Sequence, residues 1–287
     1  MAKSFDELTF TDDFMFCKIL STDLELCRDI LQLLLDVKIR KVELSEAQKP
    51  VEITADGRGV RFDVYVEDED GSVFDLEMQT SIQKELPKRS RYYQGMIDLN
   101  LIERGALFRE LKTSYVIFIC LEDPFGADLP IYTFENHCVQ NTRIKLGDDA
   151  IKVFINADSR AEDIPGQIKE FFEYIKTQKP TGKLTRRIAE NVRRVADNDK
   201  WRLEYMTLQM KYNEIREEAL REGIEKGMEK GMEQGMEKGM EKGMEKGMVR
   251  TLNSLVMDGL MSLAEAAERA NMSEEEFRKI SEMISAE

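Results

Sequence analysis

The chain reads as an α/β layered domain followed by a helical extension, and three patterns lead there. Residues 60–79 alternate apolar and polar around a central turn, as a β-hairpin does. Ser114 to Leu121 is an unbroken apolar run, as expected of a strand covered on both faces. Segments with helical spacing of apolar residues flank both, which is the order that packs helices against a sheet.

Taken along the chain, Phe10 to Leu20 and Leu24 to Leu35 predict two helices packed as a hairpin, with Thr22 or Ser21 capping the second. Val60 to Glu67 predicts a strand, Asp68-Glu69-Asp70-Gly71 a turn with Gly71 free to take positive φ, and Ser72 to Gln79 a second strand. Ile82 to Gly105 predicts a helix entered at Pro87. Ile131–Phe134 and Ile151–Ile155 predict further strands, and Pro165 to Thr177 a helix. Pro180-Thr181-Gly182 then marks a boundary, giving a first domain of residues 1–180.

Beyond it, residues 181–222 form a polar helical segment. Residues 223–248 are a repeat, with glycine every fourth position from Gly223 to Gly247, usually as Gly-Met-Glu-Lys. Each helical glycine costs about 1 kcal/mol relative to alanine, so the repeat is either a linker or a helix stabilised by self-association, with methionines filling the contact. Residues 249–287 regain helical pattern, with Ser262/Glu265 and Ser273/Glu276 spaced as capping boxes. This small module suits a helix-turn-helix or a docking bundle.

Net charge is −14, from 42 basic and 56 acidic side chains, and residues 1–180 carry 23 basic and 34 acidic. A nucleic-acid binder this acidic must gather its positive charge locally; Lys84, Lys88, Arg89 and Arg91 form one cluster, and Lys183, Arg186, Arg187, Arg193 and Arg194 another. No stretch offers the roughly 20 apolar residues of a membrane span, and no apolar signal core follows Met1, so a cytoplasmic protein without membrane contact is expected. Cys17, Cys27, Cys120 and Cys138 show no C-x-x-C spacing, and His137 is the one histidine. Catalysis, if present, falls to carboxylates and amides.

The hairpin is the informative feature. A three-residue turn of Glu69, Asp70 and Gly71 makes facing residue numbers sum to 140, pairing Phe62 with Met78, Val64 with Leu76 and Val66 with Phe74 on one apolar face. The same register sets Asp63 opposite Glu77, flanked by Asp75 and Gln79, with Arg61 facing Gln79. Opposed residues have Cβ atoms about 5 Å apart, and opposed carboxylates repel. Either the face is solvated or a shared divalent cation sits there; Mg²⁺ is hard, oxygen-seeking and commonly held by one or two carboxylates.

Several segments carry a family resemblance: Thr11-Asp12-Asp13-Phe14-Met15-Phe16-Cys17-Lys18, Arg61-Phe62-Asp63-Val64, Leu76-Glu77-Met78-Gln79 and Arg89-Ser90-Arg91-Tyr92-Tyr93. In this order they resemble the PD-(D/E)XK nuclease superfamily, and within it the Rpn (recombination-promoting nuclease) / putative transposase family. The resemblance implies a restriction-endonuclease-like core, a mixed sheet flanked by helices, here with a helical C-terminal extension. It further implies a metal-dependent endonuclease acting on DNA, with Mg²⁺ (or Mn²⁺) held by Asp63 and Glu77. Gln79 falls where the superfamily usually has lysine, and would orient a water without bringing charge. Asp13 either completes the site or caps its helix. Lys88, Arg89, Arg91 and Tyr92, on the helix after the hairpin, would bind phosphate. The other class of function is a catalytically inactive nuclease-fold protein that self-associates through its C-terminal repeat; in either case a homo-oligomer through that region is expected.

Overall fold

The structure is a computed structural model and describes residues 3–44, 63–81, 83–102 and 105–286. It divides into two compact units, Met1–Gln209 and Met210–Glu287.

In the first unit, α1 (Asp13–Thr22) and α2 (Leu24–Leu35) precede β1 (Val42–Leu44). The hairpin β2 (Val64–Asp68) and β3 (Val73–Gln79) leads into α3 (Leu86–Leu101). Then follow β4 (Ser114–Cys120), β5 (Ile131–Phe134), the small pair β6 (His137–Cys138) and β7 (Asn141–Lys145), and β8 (Ala150–Asn156). The unit continues through α4 (Gly166–Thr177) and α5 (Lys183–Ala196) into the start of α6 (Asp199–Met257).

Six strands make one mixed sheet in the order β1-β2-β3-β4-β8-β5. β3, β4 and β8 run parallel, while β1, β2 and β5 add antiparallel edges. The hairpin register is the expected one: Val64 faces Leu76 and Val66 faces Phe74. Within its turn Gly71 takes φ +81°, and a Cβ there would meet the Lys112 side chain at 3.0 Å. The expected pairs Phe62–Met78 and Arg61–Gln79 lie outside the described residues, as does the start of that strand.

The sheet is covered on both sides, which is the restriction-endonuclease-like arrangement the resemblance implies. Phe74, Leu76, Met78, Ile117, Ile119, Val153 and Ile155 belong to one core with α1, α2, α4 and α5. Val73, Val116, Phe118, Cys120 and Phe154 belong to the other, with Leu86, Tyr93, Met96 and Ile97 of α3. β4 is buried along nearly its whole length, as its unbroken apolar run predicts.

Several boundaries differ from expectation for local reasons. Helix α2 is capped by Asp23, whose side chain accepts from the Leu26 N–H, not by Ser21 or Thr22, whose hydroxyls bond back to carbonyls within α1. Helix α3 ends at Leu101, before Gly105, with Ile102 already extended. Ile188 and Val195 of α5 and Tyr205 of α6 enter the large core, and the first compact unit extends to Gln209 accordingly; the expected division of the chain at residues 180, 222 and 248 is a separate matter of function and stays a proposal. Arg187 of α5 pairs with Asp23 at 2.6 Å and also reaches Glu25 and Asp29, so this arginine ties α5 to α2.

In the second unit the repeat is helical throughout, as part of α6. Its methionines, Met228 to Met248, are exposed, and nothing lies within 4 Å of where a Cβ on Gly223 to Gly247 would stand. Val249, Leu252 and Val256 pack with α7 (Leu263–Arg269) and α8 (Glu274–Ala286) around the buried Phe277. Both capping boxes form: Ser262 exchanges bonds with Glu265, and Ser273 with Glu276. Among the described residues no helix is long and apolar enough to cross a membrane.

Asp23 closes α2 and anchors Arg187 and Asn191 of α5. Asp23→Ala is expected to cost about 2 kcal/mol, from a lost cap and a partly screened ion pair. Urea unfolding followed by circular dichroism measures it, and no change in the midpoint would contradict the assignment.

Candidate functional site

β3 is a central strand in which all seven residues are buried, yet Asp75, Glu77 and Gln79 are polar. Alternation sends these three toward α3, while Phe74, Leu76 and Met78 face the other core. Buried charge is costly unless paired, so this row calls for a physical explanation.

Asp63 and Glu77 meet across the hairpin, one position beyond the Val64–Leu76 pair. The Asp63 N–H donates to Glu77 Oε1 at 3.1 Å, and the Met78 N–H donates to Asp63 Oδ2 at 3.2 Å. The two acids thus meet at the open end of the strand pair. Among the described residues no three His, Cys, Asp or Glu side chains converge closely enough to enclose a metal by themselves. The two carboxylates are nevertheless hard oxygen donors of the kind that hold a cation whose remaining ligands are water.

Electrostatics agree with that fit. Burial first, then the negative charge of Asp63, push Glu77 up to about 8, against the opposing pull of Arg89 and the Asp63 N–H. Asp75 lies deeper, with neither carboxyl oxygen finding a partner among the described residues. Burial, then Glu77 and Asp63, hold it well above the usual carboxylate range. An added cation would relieve this clustering of negative charge.

Arg89, from the first turns of α3, is the positive group at the site. Its Nη2 pairs with Glu77 Oε2 at 2.5 Å, its Nη1 donates to Gln79 Oε1 at 3.2 Å, and its Nε donates to Tyr93 Oη at 2.8 Å. The guanidinium also lies over the rings of Tyr93 and Phe118, 5.0 and 5.4 Å from their centroids. Burial works against its charge, but Glu77, Tyr93 and Asp63 more than offset this and raise its pKa. Gln79 is fixed at both ends, since its Nε2 donates to the Ser81 carbonyl at 2.8 Å.

Of the residues singled out from sequence, Asp63, Glu77, Gln79 and Arg89 therefore come together. Asp13 begins α1, with Asp12 in the cap position, and its charge is near enough to add a small upward push on Glu77. Lys88, Arg91 and Tyr92 lie on the exposed side of α3. His137 sits on β6, where its Nδ1 is 2.7 Å from the Thr142 carbonyl. Tyr93 was not foreseen as a site residue, although it stands four residues after Arg89 on a predicted helix, which places the two on one face.

A family model described as PD-(D/E)XK nuclease family transposase matches residues 10–159, just over half of the 287 residues. The chain belongs to the PD-(D/E)XK nuclease transposase family. The matched span contains α1, the hairpin, α3 and the sheet, so the assembled cluster lies inside the family's own region. PD-(D/E)XK nucleases generally use divalent metals, which agrees with the oxygen-donor set on β2 and β3. No curated protein and no solved structure matches the chain.

The raised pKa of Glu77 has a defined sign. Its folded value, about 8, exceeds its ordinary value of 4.5. Stability from this group is present at low pH and is lost as pH rises from about 5 to about 8. In chelator, wild type should lose on the order of 4 kcal/mol more over that range than Glu77→Gln, measured by urea titration. Parallel pH curves would contradict the assignment.

Proposed function

We propose that this protein is a metal-dependent DNA endonuclease of the transposase-like, recombination-promoting kind. The observation that supports it most is the meeting of Asp63 and Glu77 on the inner end of the hairpin, beside a fixed Gln79. The cation would be Mg²⁺, with Mn²⁺ as a substitute, and its chemistry would be to activate water and offset charge on the phosphate.

The chain's own groups do the rest. Asp63 and Glu77 present oxygen ligands at one point. Gln79 Oε1, already oriented by Arg89 and Ser81, has a second lone pair to accept a hydrogen bond from the attacking water. The water oxygen joins phosphorus as the bond from phosphorus to the sugar oxygen breaks, the water's proton passing to solvent and the leaving oxygen taking one from solvent, so in-line placement of that water is the protein's main contribution. Asp13 adds a carboxylate at the margin, and Lys88, Arg91 and Tyr92 line the adjacent face of α3 as contacts for neighbouring phosphates. The acidic remainder of the surface confines DNA to such local positive patches.

One site of this kind cuts one strand, so two-strand cleavage requires a second copy. The exposed methionines of α6 support assembly of protomers through the C-terminal region. A cytoplasmic location accords with this work on DNA.

The test is nicking of supercoiled plasmid by purified protein in Mg²⁺ or Mn²⁺. Wild type should nick, EDTA should abolish it, and Asp63→Asn and Glu77→Gln should each lower the rate about 100-fold or more. Cleavage that survives both substitutions would contradict the site. No cleavage by wild type under any metal would favour the inactive, self-associating interaction protein.

A further inference from the structure

We infer that Arg89 is a catalytic residue that supplies the positive charge Gln79 lacks, contacting a phosphate oxygen of the reacting group from its seat between Glu77 and Gln79. This rests on the nuclease reading above and assigns a role within it.

Gln79 stands beside the paired acids on β3, held by Arg89 and the Ser81 carbonyl, and an amide cannot offset charge that builds on a phosphate. Among the described residues Arg89 is the cation bonded to both Glu77 and Gln79. With both carboxylates ionised, as cation binding would require, Asp63, Glu77 and Arg89 carry two negative charges and one positive. The positive charge comes from α3, which lays it beside the end of β3.

A role confined to neutralising buried Glu77 explains less of the geometry. One bond to Glu77 would serve that purpose. Here the guanidinium is fixed in plane by three side chains, with Tyr93 and Phe118 beneath it, so its direction is specified as well as its charge. Nor is Arg89 closed off: its side chain keeps 32% exposure against 1% for Glu77. Each outer nitrogen carries two N–H groups, and the bonds to Glu77 and Gln79 use one apiece. The second N–H groups of this fork suit a phosphate oxygen.

The experiment compares wild type, Arg89→Gln, Arg89→Lys, and Arg89→Gln combined with Gln79→Lys in steady-state plasmid nicking. Mn²⁺ binding by paramagnetic resonance and thermal unfolding are followed on each. Arg89→Gln should lower kcat about 100-fold with KM within about threefold, while still binding Mn²⁺ through Asp63 and Glu77. Restoring a cation at position 79 in the double variant should recover at least about tenfold of that loss, which a purely structural role would not allow. Should the double variant not fold, Arg89→Lys decides: a loss of about tenfold or less supports the charge role, and a loss equal to that of Arg89→Gln overturns it. Nicking by Arg89→Gln within about threefold of wild type also overturns it. So does a folded, Mn²⁺-binding double variant without recovery. A wild type that cuts nothing overturns the nuclease reading itself, and is distinguished by the absence of cleavage in every protein.

Discussion

Glu77 is buried to 1% exposure in the middle of a six-stranded sheet, with a second acid, Asp63, donating its backbone N–H to it and a third, Asp75, two residues deeper. Core strands are normally apolar because buried charge loses its water. Three acids on one face of one hairpin therefore weaken the fold unless counter-charge is supplied, and the surroundings of the cluster follow from that requirement. The opposite face of β3 is wholly apolar and joins the larger core, which holds the strand in register against the repulsion. The Gly71 turn fixes which residues face each other, and a slip of one position would expose the apolar set and scatter the acids.

Counter-charge arrives from α3. Proline in the first turn starts the helix, and Leu86, Tyr93, Met96 and Ile97 anchor it on the sheet, so that Arg89 lands at the open end of β3. One positive charge against Asp63 and Glu77 leaves the site short by one, and Glu77 accordingly stays protonated far above the usual carboxylate range. A divalent ion would reverse that deficit into a small excess, which is the sign a phosphate requires. Structure and proposed chemistry thus share one cause: the acids that burden the fold in the absence of a cation are those that would hold it.

Much of this was legible before any coordinates. Alternation and the turn residues set the hairpin register, and the register alone put Asp63 against Glu77. The unbroken run from Ser114 identified the central strand, because a strand buried on both faces has no polar side to show. What stayed hidden depended on contacts distant in sequence. Arg89 read as one of several basic residues on a helix; its rotation toward Gln79, while Arg91 and Tyr92 turn to solvent, is set by how α3 packs on Phe118 and Val116. Asp23 looked like an ordinary residue between helices, since its partner Arg187 lies 164 positions away. Short β1 and β6 carry too few residues for alternation to register, and β7, exposed along its whole length, has no buried face to show. In the repeat, adjacent glycine and methionine recur at a four-residue step that composition alone leaves between linker and helix, and the structure makes it helix.

The central claim is that two carboxylates on neighbouring strands share one divalent ion. A crystal of the protein soaked in Mn²⁺, with anomalous diffraction recorded at the manganese edge, examines that claim without reference to any substrate. The account predicts one strong peak within coordination distance of both Asp63 and Glu77. A protein saturated with Mn²⁺ whose only peaks lie elsewhere, with Glu77 still bonded to Arg89 and the Asp63 N–H, would contradict it.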